Sequence, residues 1–200
     1  MTLSNYAELQ TAIADFLNRE DLAGSIPTFI RLAEAQMERE LDHWKMERRS
    51  EVLVDDRYTA LPCNFRNPIR LYITGANKAL EPITQSQMQD KRYSNADVTG
   101  KPRFYCITAG EVELFPTPSS EALEMYYVAN LPKLSDTNTS NWLLDEAPDA
   151  YLYGALLQSA PYLQDDQRIA VWTSLFTAAV SGLNAVSQDA KWGGQGLKSR

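Results

Sequence analysis

Apolar residues recur at intervals of three and four in the last third of the chain, which is the spacing of one face of an α-helix. Pro148 suits a first helical position, and the segment that follows is apolar on both faces as far as Leu163. One face holds Tyr151, Leu152, Ala155, Leu156, Ser159 and Leu163, and the other holds Tyr153, Leu157, Ala160 and Tyr162. A helix that is apolar nearly all round is covered on more than one side. The cover is either a deep core, or a core on one side and a neighbouring subunit on the other.

A last long helix is predicted after Asp165 and Asp166, which suit a helix cap, and runs to about Lys191. Its apolar seam is heptad-like and consists of Ile169, Trp172, Phe176, Ala179, Leu183, Val186 and Ala190. Most other positions are small and uncharged, which lets another helix approach closely. Such a seam serves a bundle within one chain as well as an oligomer. In the oligomer, the expected subunit-interface residues are Tyr153, Leu157, Trp172, Phe176 and Leu183.

The first part of the chain predicts two helices separated by a short break. Asn5 and Glu8 fit a capping box at the start of the first helix, which ends near Asn18. Pro27 opens the second helix, whose apolar stripe continues to Trp44. Its other face is charged, and we expect the side chains there, Arg31, Glu34, Glu38, Arg39, Asp42 and Lys45, to be solvated. The two helices are expected to pack as an antiparallel hairpin.

From about Ser50 the apolar period changes from 3.6 to 2, which indicates β-strands. Three short strands are predicted at 52–54, 58–62 and 69–73, followed by a short helix at 84–92. A three-stranded meander is then predicted from Arg103–Thr108, Glu111–Phe115 and Glu121–Val128. The middle of the chain is therefore a small, mostly antiparallel β module inserted between two halves of a helical bundle.

The predicted fold class is α+β, mainly α. Residues 1–49 form an N-terminal helical hairpin, 50–130 the inserted β module, and 131–192 the C-terminal helices of the bundle. Residues 193–200 contain three glycines in their first four positions and are expected to be a flexible tail.

Charge and cysteine content narrow the class of protein. The chain has 19 basic and 26 acidic residues, a net charge of -7, which argues against a general affinity for nucleic acid. We expect neither a signal peptide nor a membrane anchor, because the first ten residues lack a basic and an apolar region and the apolar runs are short. Without a signal peptide, Cys63 and Cys106 are expected to be separate buried thiols.

The sequence contains few candidates for catalytic or metal-binding residues. His43, the single histidine, is expected on the protein surface, and no metal-ligand spacing surrounds it. No nucleotide-binding, zinc-protease, calcium-loop or serine-hydrolase motif occurs, so we expect no cofactor, no metal and no enzymatic role. Two facing carboxylates of a glycosidase are not excluded by sequence spacing. Residues 91–93 and 103–105 interleave basic and aromatic side chains, as a nucleic-acid platform or a strand edge would.

Three segments together resemble the adaptor, or head–tail connector, proteins of tailed bacteriophages. They are residues 3–52, then YTALPCNFRNPIRLYI at 58–73, then APDAYLYGALLQSAPYLQDDQRIAVW at 147–172, which is the most specific of the three. The resemblance covers residues 3 to about 172 and extends to the adaptor that short-tailed phages call tail tubular protein A-like. Its helical–β–helical order is the same as the one predicted above.

The resemblance implies a structural protein of the virion, made in the host cytoplasm and located at the head–tail interface. It implies a ring of twelve copies when assembled, with a monomer among the possible free states. The ring binds the portal protein and joins the capsid vertex to a tail nozzle or tail-tube protein. DNA passes through the lumen with weak, non-specific contact, no membrane is involved, and no catalytic residues carry over. We expect the tail to dock on the portal through Leu197 and Lys198 or Arg200.

Two functions from other classes stay open. One is a virion-associated enzyme that degrades peptidoglycan. The other is a monomeric scaffold or binding module, with the β insertion as its ligand site.

Overall fold

The computed structural model describes residues 3–95, 98–163 and 167–192, apart from the side chains of Glu20 and Trp192. The chain divides into two compact units. Unit 1 comprises residues 1–44 and 131–200, and unit 2 comprises residues 45–130. Helices predominate and the strands form small, mainly antiparallel sheets, which confirms the α+β, mainly α, fold class.

The helices of unit 1 are α1 (Tyr6–Leu17), α2 (Ile26–Glu40), α4 (Trp142–Glu146), α5 (Pro148–Gln158) and α6 (Arg168–Trp192). Unit 2 contains α3 (Gln85–Ser94) and the strands β1 (Glu47–Val54), β2 (Tyr58–Ala60), β3 (Phe65–Ile73), β4 (Glu81–Pro82), β5 (Phe104–Thr108), β6 (Glu111–Phe115) and β7 (Glu121–Ala129).

The first helix begins at a cap that differs by one residue from the predicted capping box. The Asn5 side chain accepts a hydrogen bond from the Glu8 backbone N–H at 2.9 Å, as expected. The Glu8 carboxylate, however, accepts from the backbone N–H and hydroxyl of Ser4, at 3.0 and 2.9 Å. Asn18 ends the helix in the left-handed conformation, with φ of 52°, which asparagine tolerates better than most residues.

The second helix ends at Glu40, four residues before the predicted end at Trp44. The backbone beyond it turns toward α6, where the N–H groups of Asp42 and Trp44 donate to side chains of that helix. His43 is therefore buried, and its expected place on the surface was wrong. Its ring stacks on the rings of Trp44 and Trp142, with centroids 5.8 and 4.9 Å away.

Helix α5 lies at the centre of unit 1 and contacts α1, α2 and α6. It ends at Gln158, and a 3-10 turn at Ala160–Tyr162 takes the place of the predicted last helical turn. Gly154 permits the close approach of its neighbours, because a Cβ there would lie 3.0 Å from Phe176 Cε2 and 3.2 Å from the Ala33 Cβ. Its own chain thus covers most of α5, as in the deep-core alternative, while Tyr153 and Leu157 remain half-buried.

Glu34 of α2 has a buried carboxylate, which is hydrogen-bonded to the segment 131–141 that precedes α4. Glu34 was expected to be solvated, but its exposed fraction is 2%. Its Oε1 accepts hydrogen bonds from the Leu134 N–H at 2.7 Å and the Tyr151 hydroxyl at 3.1 Å. One turn further on, Glu38 accepts from the Leu131 N–H at 3.1 Å. Burial raises the pKa of Glu34, and the two hydrogen bonds to it oppose that shift only in part.

The strands of unit 2 form two sheets with the orders β1-β7-β3 and β2-β6-β5-β4. The predicted three-stranded meander is wrong, because β5 pairs with β6 while β7 becomes the central strand of the other sheet. The linker between β6 and β7 contains Pro116 and Pro118, which have no N–H to donate to a ladder. Both sheets contribute to one core, formed by Val54, Leu71, Ile73, Leu80, Tyr105, Val112, Leu114, Leu123, Met125, Tyr127 and Ala129.

Glu113 of β6 is completely buried and joins three parts of unit 2. Arg57 lies 2.6 Å and Arg92 lies 2.7 Å from its Oε1. Burial by itself would raise the pKa of Glu113, but the hydrogen bonds from the two guanidinium groups outweigh it and hold the pKa below the ordinary value. Both cysteines are free thiols, and Cys106 beside Glu113 is buried. Cys63 is exposed, so the expectation that both would be buried was wrong for this residue.

We expect Gly154→Ala to destabilise the protein by about 1–3 kcal/mol, because the added methyl group overpacks the contact with Phe176 and Ala33. Gly182→Ala is the matched control, since nothing lies within 4 Å of its added Cβ. The control should stabilise α6 by up to about 1 kcal/mol, the helix-propensity difference. Urea unfolding measures both changes, and equal effects at the two glycines would contradict the close packing of α5.

Unfolding of the wild type should depend on pH through Glu34. Because burial raises its pKa, the folded chain binds this proton more tightly than the unfolded chain. That stabilisation is complete below the unfolded pKa of about 4.3 and is lost as pH rises through the folded pKa. Glu34→Gln keeps an acceptor oxygen without a charge. The unfolding free energy of the wild type should therefore fall relative to the variant as pH rises above the unfolded pKa of about 4.3. Parallel pH profiles would refute this assignment.

Candidate assembly surface

The inward side of α6 is apolar over its first half. Trp172, Phe176 and Val180 are buried, and they follow one another at intervals of four residues. Helix α6 lies against α5 along this side. This part of the predicted seam is therefore filled by the chain itself, because burying these large side chains is strongly favourable.

The second half of α6 is held by polar groups instead. Asn184 accepts a hydrogen bond from the Asp42 N–H at 2.9 Å and donates to the Glu40 carbonyl at 3.0 Å. The buried hydroxyl of Ser187 accepts from the Trp44 N–H at 2.9 Å. Both side chains satisfy backbone groups at the end of α2, which lack partners within that helix.

This polar anchoring changes which residues of α6 face inward. Val186 and Ala190, the last two residues of the predicted seam, are exposed in the chain, and 60% of Val186 is accessible. Val180, Asn184 and Ser187 lie on the inward side instead. The hydrophobic pattern did not predict the last two of these, because they are an amide and a hydroxyl.

The outward side of α6 carries a second stripe of uncharged residues. We call the exposed residues Val171, Leu175, Ala178, Gly182 and Ala185 the outer stripe. Their spacing of four and three residues keeps them on one side of the helix. Val171 is 56% and Leu175 39% exposed. No charged residue occurs in the twenty positions from Ile169 to Gln188, a length of about 30 Å.

The residues of the outer stripe were not among the predicted interface residues. The signal was present in the sequence, since their heptad spacing is as regular as that of the inner seam. Larger side chains at Trp172 and Phe176 mark the inner seam, whereas alanine and glycine make up most of the outer stripe. Gly182 is not required by packing within the chain, because nothing lies within 4 Å of an added Cβ.

The predicted interface residues fall into two groups in the structure. Trp172 and Phe176 lie in the core of unit 1, while Tyr153, Leu157 and Leu183 are half-buried. Phe176 packs close to Gly154 of α5. The predicted portal-docking residues Leu197, Lys198 and Arg200 lie outside the described residues.

The charges of the chain are divided unequally between its two units. Unit 1 contains 15 acidic and 8 basic residues, so it carries the whole net charge of -7. Unit 2 contains 11 of each. Within unit 2, the two basic–aromatic segments meet where Lys91 Nζ lies 3.9 Å from the ring centroid of Phe104.

By length and composition alone, α6 would be long and apolar enough to cross a bilayer over Arg168–Lys191. Only 17% of the most apolar 18-residue stretch of α6 is buried within the chain. A helix covered by another protein shows the same composition, so this property by itself is weak evidence for a membrane.

The described residues contain no cluster of three or more histidine, cysteine or acidic side chains placed to hold a metal ion. The two buried carboxylates, Glu34 and Glu113, both act as acceptors in hydrogen bonds that join separate segments. An open cleft of about 500 Å³ lies on the outer face of the three-stranded sheet of unit 2, beside Tyr72, Glu124 and Tyr126. The outer stripe is an exposed surface without charged residues, and it is suited to contact between proteins.

The family model described as SU10 adaptor protein matches residues 4–198, nearly the whole chain. A search of the curated proteins finds no match.

Proposed function

This chain belongs to the SU10 adaptor protein family, a family of phage structural adaptors at the head–tail interface, and we propose that it forms a ring between portal and tail. The ring contains twelve copies and surrounds the DNA exit channel. It binds the portal protein on one side and a nozzle or tail-tube protein on the other. The role is structural, without catalysis, and the protein acts within the virion.

The outer stripe of α6 is the observation that carries this proposal. A solvated helix normally presents charged residues to water, whereas this helix presents valine, leucine, alanine and glycine. Small residues at Ala178 and Gly182 let a second helix approach closely. A neighbouring copy would cover the stripe, with the half-buried Tyr153, Leu157 and Leu183 as further candidates. Trp172 and Phe176 support the helix from the core.

A closed ring needs two different faces on every copy, because neighbours meet head to tail. The outer stripe provides one face. Unit 1 also exposes Phe16, Leu32 and Tyr162, with exposed fractions of 45%, 47% and 53%. Tyr162 is held in place by Phe29, whose ring centroid lies 5.4 Å away. We assign these three side chains to the second face.

The charge of unit 1 suits a channel through which DNA moves. An acidic unit makes few contacts with phosphate groups, and the release of counterions from Lys and Arg contacts is what makes binding to DNA tight. We therefore propose that unit 1 builds the ring body and that DNA touches it only weakly and non-specifically.

Leu175→Glu should prevent ring formation without unfolding the protein. A charge in the middle of the outer stripe would have to be buried against the neighbouring copy, and an unpaired buried charge is costly. We expect twelve wild-type copies on each portal ring by native mass spectrometry or electron microscopy, and no ring with the variant.

Thr177→Glu is the matched control, since it adds the same charge to an exposed position on α6 about 120° away around the helix from the outer stripe. It should assemble as the wild type does. Normal rings of Leu175→Glu would contradict the proposed interface, as would an equal loss in both variants.

A chain truncated after Trp192 should remain folded and lose its attachment to portal rings. We place portal docking in residues 193–200, through Leu197 and Lys198 or Arg200, because this segment is short and basic. Co-sedimentation with portal rings measures attachment, and circular dichroism checks the fold. A truncated protein that still binds the portal would disprove the role of the tail.

A further inference from the structure

The two sheets of unit 2 have four edge strands, and three of them are blunted. β2 has three residues, and β4 has two, one of which is Pro82. β3 contains Pro68 and two register shifts, and the Leu80 N–H donates to the Leu71 carbonyl on its outer side. Short strands, prolines and irregularities are the usual means of preventing an edge from pairing with another chain.

β1 carries charged side chains, a further means of protection, but has none of these three features. Its eight residues pair with β7 in unbroken register from Glu47 to Val54, without a proline or a bulge. In the sheet order β1-β7-β3, the described residues place no strand on its outer side. An edge of this length is a template for another strand, because backbone N–H and C=O groups along it point away from the sheet.

β1 is also uncovered on both of its faces. Of its eight residues, only Val54 is buried. Val52 and Leu53 point to opposite faces of the sheet and are 40% and 66% exposed. Such a strand is marginal on its own, and a further strand beside it would remove apolar surface from water on both faces.

The charges on β1 make it complementary to itself. We propose that two copies of the unassembled protein pair antiparallel through β1, about a twofold axis at Ser50. In this register Arg49 of each copy lies directly opposite Glu51 of the other. The two side chains also contact each other within one chain at 3.2 Å, so the pair forms a network of four alternating charges. Val52 lies opposite Arg48, whose aliphatic stem covers it.

The neighbouring symmetric registers are repulsive. An axis at Arg49 places two arginines opposite each other and Glu47 opposite Glu51. An axis at Glu51 places two glutamates opposite each other. Like charges directly opposite across strands are destabilising, so the axis at Ser50 is favoured over these two.

This pairing is separate from the proposed ring. A twofold axis at β1 is not an element of a cyclic ring, so the dimer belongs to the chain before assembly and is released when the ring forms. The ring contact uses the outer stripe of α6 in unit 1, whereas the dimer contact uses unit 2. Variants in β1 and in α6 therefore test the two proposals independently.

Cysteine cross-linking tests the register. In a Cys63→Ser background, Ser50→Cys brings two Cα atoms to about 4.5–5.5 Å across the axis, within the range of a disulfide. Val52→Cys on the same face is the matched control, because its two copies would lie roughly 14 Å apart. We expect disulfide-linked dimers of Ser50→Cys only. Equal cross-linking at both positions, or more at 52, would overturn the register.

A charge exchange tests the contact itself by sedimentation of the full-length protein. Glu51→Arg places like charges opposite each other twice, leaves the ion pair of Arg49 with Glu124 within the chain in place, and should weaken the dimer roughly tenfold or more. The double variant Arg49→Glu with Glu51→Arg restores both opposite-charge pairs and should restore the dimer. A wild type that stays monomeric at high concentration, or a double variant as weak as the single one, would overturn the proposal.

Discussion

Two consecutive helices of this chain carry almost no charge, and surfaces of that kind have to be removed from water. α5 satisfies this constraint within the chain, since α1, α2 and α6 cover it and Gly154 allows α2 and α6 to come close. α6 satisfies it only on its inner side. The need to remove uncharged helix surface from water therefore explains why α5 lies at the centre of unit 1. For the outer side of α6, the same need points to a partner outside the chain.

The fold class and most helix starts followed from local chemistry. Asn5 and Thr84 cap their helices, and proline opens α5, so these features are readable without knowledge of distant residues. The alternation of apolar and polar residues predicted where the strands lie, but not which strands pair with each other. Nothing near β7 indicates that it leaves β6 for β1 and β3, because alternation fixes which face is buried and not which neighbour supplies hydrogen bonds.

The residues that sequence reasoning placed wrongly have partners far along the chain. Glu34 reads as one member of a charged face, yet its hydrogen bonds come from Leu134 and Tyr151, more than ninety residues away. His43 is buried by Trp142, and Ser187 faces inward because it meets the Trp44 N–H. Each is a polar residue buried with a specific partner, and periodicity of apolar residues carries no information about such pairs. The outer stripe had a periodic signal, but its small side chains made that signal weak.

The whole net charge of -7 resides in the unit that also carries the outer stripe. Free copies with this charge repel one another over a Debye length of about 8 Å at physiological ionic strength. Attraction through an uncharged helix acts only on contact, while repulsion acts earlier along the approach. Encounters between free copies through unit 1 are thereby slowed. In the ring that we propose, a template that holds copies side by side would overcome this barrier, so the placement of charge would favour assembly on a template over assembly in solution.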